Sequence, residues 1–246
     1  MKIPKRTETI KRHIERFEKQ LQYKKQRFGC YDDGAGTRYF IGPYYMLAGD
    51  VEGALKHFKW FSRVFPDDIG EPGQYLCWTL VIYKSGDLKK AYMKFLQTLF
   101  MNPFVIARVI GIDYKLPYKP NSNIPTKEWA EWVPDEFYDA WDEEAVSWLK
   151  KSFYDPKTQE IFNYYNDIEI KLETEPRGQK RTNMVYKLSD MRKSEKIEQL
   201  NRLIAGNDDN FENKSKDIES EKKSDLPEPI NIDEFRKKKK KDSTIN

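Results

Sequence analysis

AGDVEGALKHFKWFSRVFPDD, residues 48–68, and SGDLKKAYMKFLQTLFMNPF, residues 85–104, carry the same residues at the same places. Gly49 falls on Gly86, Asp50 on Asp87, Ala54 on Ala91, Phe58 on Phe95 and Pro66 on Pro103. Identities that share one offset over so short a window mark an internal repeat. The residue types say what the repeat builds. Glycine takes up the left-handed backbone at the end of one helix, and the aspartate after it caps the start of the next. A small alanine four residues later lets two helices approach, and an aromatic one turn further on fills the contact. A proline then stops the second helix. Each unit therefore reads as a hairpin of two helices.

Working outward from the pair, residues 7–28 place apolar side chains at Ile10, Ile14, Phe17, Leu21 and Phe28, a single narrow stripe on an otherwise charged helix. Such a helix needs a surface to pack on, and the hairpin that follows offers one. On the other side, residues 104–111 read as a further first helix without a matching second. A loop containing PYKPNSNIP comes next, then a helix opened by Pro134 with Phe137, Trp141, Ala145, Trp148 and Leu149 on one face. The periodicity predicts two more helices, over 158–172 and 180–203.

The hairpins resemble the tetratricopeptide repeat family. The first, residues 35–68, places Ile41, Gly42, Tyr45, Gly49, Ala54, Phe58 and Pro66 where that motif has its small, aromatic and closing residues. The second, residues 72–104, supplies Gly86, Ala91, Phe95 and Pro103 but has Trp78 and Thr79 in place of Ile41 and Gly42. The repeat is slightly longer than the family's usual length of about 34 residues, and PDDIGEPG absorbs the difference. The resemblance implies an all-α fold: a helical-hairpin array, a right-handed α-solenoid, with flanking helices covering its ends. It also implies that the first helix of each hairpin lines a groove that receives a peptide. Those positions are Tyr39, Pro43, Met46 and Leu47 in one repeat and Leu76, Leu80, Tyr83 and Lys84 in the other. The family's carboxylate-binding groove needs Lys, Asn and Arg at such places, whereas this chain has Tyr39, Pro43 and Cys77. The expected groove is apolar and aromatic.

Composition divides the chain into a basic amphipathic helix over 1–30, a helical domain over 31–205, and a charged tail over 206–246 that reads as disordered. Residues 1–30 carry ten Lys or Arg against three Glu, whereas residues 128–169 carry twelve Asp or Glu against three Lys. The two poles are expected to neutralise one another or to face different partners. In the tail, Leu226, Pro227, Ile230, Ile232 and Phe235 form an apolar island of the kind that docks on a groove, and residues 236–241 read RKKKKK.

No chemical constellation stands out. Gly34, Gly36, Gly42 and Gly49 lie near Arg38, but no strand precedes them, and Asp32 and Asp33 sit where a phosphate would be repelled. His13, His57, Cys30 and Cys77 have no short paired spacing, so neither a zinc site nor a Cys–His pair is expected. The pairs Asp32–Asp33 and Asp67–Asp68 precede helices and read as caps, and WDEE, residues 141–144, reads as the solvated face of a helix. Two cysteines and the lack of any long apolar run point to a reducing, cytoplasmic setting with no membrane segment and no signal peptide. The expectation is a non-enzymatic interaction module without cofactor or metal, binding a partner protein or peptide through the groove. The alternative is a helical protein that meets nucleic acid through its basic N-terminal helix and Lys-rich tail.

Overall fold

The computed structural model describes residues 3–31 and 33–206. The tail residues Leu226, Pro227, Ile230, Ile232 and Phe235 and the basic run 236–241 lie outside the described residues. Within them every regular element is an α-helix. The first, α1 (Thr7–Phe28), covers the span that the apolar stripe marks out, and Ile10, Ile14, Phe17 and Leu21 are buried. Phe28, at the end of the stripe, is 54% exposed, because Gly29 closes the helix in the left-handed conformation and turns the chain away.

The first hairpin is α2 (Arg38–Leu47) with α3 (Val51–Val64), and the second is α4 (Pro72–Lys84) with α5 (Leu88–Met101). Their turns are built alike. Gly49 and Gly86 have φ of 78° and 85°, which only glycine adopts without strain. Asp50 accepts from the Gly53 N–H at 2.7 Å, and Asp87 accepts from the Lys90 N–H at 3.1 Å. Ala54, Ala91, Phe58 and Phe95 are all fully buried. In the first hairpin Gly42 makes room for an aromatic: a Cβ there would lie 2.4 Å from Cε1 of Phe58. The Phe58 ring then stacks on Trp78 of α4, 4.7 Å between centroids and 7° between planes, joining the hairpins. Helix α2 starts at Arg38 and runs through Pro43.

Pro103 differs from Pro66. Rather than only ending α5, it opens α6 (Pro103–Ile110), whose cap is Asn102. The Asn102 side chain accepts from the Phe104 and Val105 N–H groups at 2.9 and 3.2 Å and donates to the Ile124 and Thr126 carbonyls at 2.6 and 3.0 Å. One buried amide thus pins the connection that the sequence marks as a loop.

The helix expected from Pro134 onward is broken. It becomes α8 (Asp135–Asp139) and α9 (Glu143–Tyr154), preceded by the short α7 (Lys127–Trp132). Asp142 causes the break: its carboxylate accepts from the Ala145 N–H at 3.0 Å and starts a new helix. WDEE is therefore a cap and a first turn, not a mid-helix face. After α10 (Pro156–Thr174), the span 180–203 likewise divides into α11 (Gln179–Lys193) and α12 (Ile197–Ala205).

Helix α4 is the centre of the domain. It packs against α2, α3, α5 and α6 and also against α7 and α8, while α5 meets α10 and α11 on its far side and α1 lies on α2. The acidic segment pairs with bases outside the N-terminal helix: Asp142 with Lys84 at 3.3 Å, Asp135 with Arg108 at 2.5 Å and Glu169 with Arg192 at 3.1 Å. Among the described residues no helix is long and apolar enough to cross a membrane.

Candidate functional site

Packing separates the predicted groove residues. Leu76 and Leu80 are completely buried, and Met46 is 8% exposed. Helices α7 and α8 pack on α4, and α8 also meets α2. Tyr83 stacks against Trp148 of α9 at 4.7 Å, and Lys84 is held to the α9 cap by Asp142. Pro43 is buried within α2, and Leu47 is half-buried against the core. The chain therefore fills much of the expected groove with its own helices.

Tyr39 is in a different position. It sits at the start of α2 in a polar clasp around Arg38. The Asp33 carboxylate accepts from the Thr37 and Arg38 backbone N–H groups at 3.0 and 2.7 Å. The Arg38 guanidinium donates to Asp68 at 2.7 Å and to Asp33 at 3.2 Å. The Tyr39 hydroxyl donates to Asp68 at 2.9 Å, and burial together with Asp68 raises its pKa well above the ordinary value. Asp68 also accepts from the Gly70 N–H at 2.8 Å. Both loop aspartates thus brace the first hairpin through Arg38, whose remaining Nη2 donates to the Tyr39 hydroxyl at 2.6 Å.

Beside this clasp lies a cleft of about 410 Å³, open to solvent, between the first turns of α2 and α4 and the α7–α8 connection. Tyr39, Phe40, Trp129 and Phe137 supply its aromatic walls, and Trp132 stands at 71% exposure. The two indoles lie 5.5 Å apart at 51°. Local structure fixes each wall. Thr126 caps α7 by accepting from the Trp129 N–H at 3.3 Å, and the Tyr138 hydroxyl donates to the Ala130 carbonyl at 2.7 Å. Gly73 allows the close contact with α4: a Cβ there would lie 3.1 Å from Cγ1 of Val133.

Two polar groups belong to the cleft. Glu71 is the cap residue of α4, and burial pushes its carboxyl above the ordinary range while the Trp129 indole draws it back. Gln74 is 1% exposed. Its Oε1 accepts from the Glu71 N–H at 3.4 Å, which fixes the orientation of the amide, and its Nε2 has no hydrogen-bond partner. A buried amide donor without an acceptor is costly unless something completes it. None of Phe40, Glu71, Gln74, Trp129 and Trp132 was among the residues the sequence marked. The available signal was WAEWV, two tryptophans three residues apart beside exposed glutamates.

The remaining reactive side chains have structural settings. The Cys77 thiol is fully buried and burial raises its pKa well above the ordinary value, while Cys30 is exposed. His57 Nε2 lies 3.0 Å from the Arg38 carbonyl, and burial lowers its pKa to about 4. The Lys94 ammonium sits 3.6 Å from the Trp78 ring centroid and 4.5 Å from that of Tyr75; burial draws its pKa down to about 7, with Glu195 acting in the opposite sense. Among the described residues no group of three or more His, Cys, Asp or Glu could hold a metal ion. No protein-family model, curated protein or solved structure matches this chain.

Proposed function

We propose that the chain is a tetratricopeptide-like helical-hairpin array that acts as a non-enzymatic interaction module and holds a segment of a partner protein in the aromatic cleft beside α2, α4 and α7. The observation that carries this reading is Trp132, a large apolar side chain left 71% exposed next to a second tryptophan at a preformed concavity. Exposed aromatics beside a concave, partly polar wall are what protein-binding hot spots are made of. The reading moves the docking position from the inner faces of α2 and α4 to their first turns and keeps only Tyr39 of the residues first considered. Supporting the non-enzymatic part, the Cys77 thiol is out of reach and His57 is engaged with a backbone carbonyl, so neither is placed to attack or to transfer a proton.

Panning a random peptide library on the immobilised full-length protein tests this. Peptides are expected to be enriched on the wild type and lost on Trp132→Asp, which leaves every buried contact in place. Enrichment of the same peptides on both proteins overturns the cleft as the docking site.

Nucleic-acid contact is a second reading, favoured by the outer face of α1, where Lys11, Arg12, Lys19, Lys25 and Arg27 are exposed. A fluorescent oligonucleotide that binds at low salt and is released by Lys11→Glu with Arg12→Glu would support it; equal binding by that variant would remove it.

A further inference from the structure

We infer that the cleft selects an arginine side chain of the partner segment, gripped between the Glu71 carboxylate and the faces of Trp129 and Trp132, with a neighbouring peptide carbonyl accepting from Gln74 Nε2. This rests on the cleft reading given above and names the chemistry of its occupant.

The charge around the cleft is mainly acidic, with Lys127 the exposed base on α7. Arg38 is taken up by its clasp with Asp33 and Asp68 and acts on Glu71 only through its field, so among the described residues Glu71, the one ionisable carboxylate of the lining, has no ion-pair partner. Outside the rim, Glu128 and Glu131 are exposed on α7, and Glu136 follows on α8. Aromatic faces beside a carboxylate attract a cation, because the ring quadrupole presents its negative face and the carboxylate adds a full charge. The same chain already uses this arrangement internally: Arg38 lies 4.2 Å from the Tyr39 ring centroid while binding Asp68, and Arg108 lies 4.0 Å from Tyr138 while binding Asp135.

Arginine fits better than lysine on two counts. Its planar guanidinium stacks on an indole while its fork meets a carboxylate with two N–H groups, whereas an ammonium is a strongly hydrated point charge. The cleft is also shallow and open, which suits a flat group. Gln74 adds a requirement that the cation cannot meet, since its unpartnered Nε2 needs an acceptor. A peptide backbone carries that acceptor next to the arginine side chain, and a free guanidinium does not.

The test uses the ¹⁵N-labelled full chain and follows the Trp129 and Trp132 indole resonances, assigned with the Trp129→Phe and Trp132→Phe variants. The probe is acetyl-Gly-Arg-Gly-amide; its counterpart carries citrulline, which keeps the shape and loses the charge. Saturable shifts of both indoles are expected with the arginine peptide, and binding about tenfold weaker with citrulline. Glu71→Gln is expected to bring the arginine peptide to the citrulline level, and Gln74→Leu to weaken both peptides alike. The melting temperature of each variant separates these effects from loss of fold. Equal affinity for the two peptides, an arginine preference that survives Glu71→Gln, or no saturable shift with either peptide overturns the inference. Library peptides that require Trp132 but lack arginine would overturn it while leaving the cleft as the docking site. Lysine in place of arginine with equal affinity would overturn the guanidinium assignment.

Discussion

The two hairpins share turns, caps, alanines and aromatics, yet they close differently. In the first, Gly42 is opposite Phe58 and the ring enters the space that a side chain would take. In the second, the matching position is Thr79, whose hydroxyl meets that of Thr98 at 2.9 Å. Thr98 in turn stands where the first hairpin has Phe61, so a glycine and phenylalanine on one side correspond to a pair of threonines on the other. Surroundings differ as well. The first hairpin is covered by α1 along α2 and touched by α8, whereas α4 meets α6, α7 and α8, and α5 meets α6, α10 and α11. The repeat therefore specifies how a hairpin turns, and the neighbours specify how it is filled.

Removing the cover of the first hairpin should have the largest effect. Ile14→Ala with Leu21→Ala empties two buried positions on α1, and each is expected to cost about 2–5 kcal/mol. Denaturant unfolding checks this, and a change below about 1 kcal/mol in total would mean that α1 is not part of the cooperative unit. Acid should act next. The unfolded chain takes up a proton on His57 near the ordinary value of 6.5, while the folded chain holds it neutral down to about 4. Between those values the unfolded state binds more protons, so stability present above pH 6.5 is lost as the pH falls, by on the order of 3 kcal/mol. His57→Gln keeps a donor for the Arg38 carbonyl and should flatten that part of the stability–pH curve.

Filling the glycine distinguishes the hairpins directly. Gly42→Ala pushes a methyl group into the Phe58 ring and is expected to cost about 1–3 kcal/mol. Thr79→Ala in the second hairpin adds no atom and should instead lose a buried hydrogen bond, about 1 kcal/mol. Combining Gly42→Ala with Phe58→Leu should cost less than the sum of the two changes, because the leucine vacates the ring's outer atoms. The caps should show the smallest difference. Asp50→Ala and Asp87→Ala are each expected to cost about 1 kcal/mol, nearly equally, because the turn is the part the hairpins share.

Local patterns carried the fold a long way. The α1 stripe, the Gly-Asp turns and the two hairpins could be read because each depends on residues a few positions apart. The breaks before α9 and α12 escaped notice because the apolar periodicity continues across them, and an aspartate inside a charged run looks the same whether it caps a helix or coats one. The cleft was hidden for another reason. It joins Tyr39, Glu71 and Trp129, which only tertiary packing brings together, and a six-residue helix such as α7 is too short for its periodicity to be read. The predicted groove residues failed to stand free because α7–α9 return over α4, a long-range event without a local signature.

Cys77 turns this architecture into a measuring device. Its thiol is fully buried on α4, the helix that touches both hairpins and the returning C-terminal half, whereas Cys30 is exposed. With Cys30→Ser, the chain holds a single thiol, which reagents reach only when the centre opens. The rate at which a thiol reagent reacts with it then reports the free energy of that opening under native conditions. Comparing the rate with and without α1 intact would show whether the two hairpins open together or one after the other.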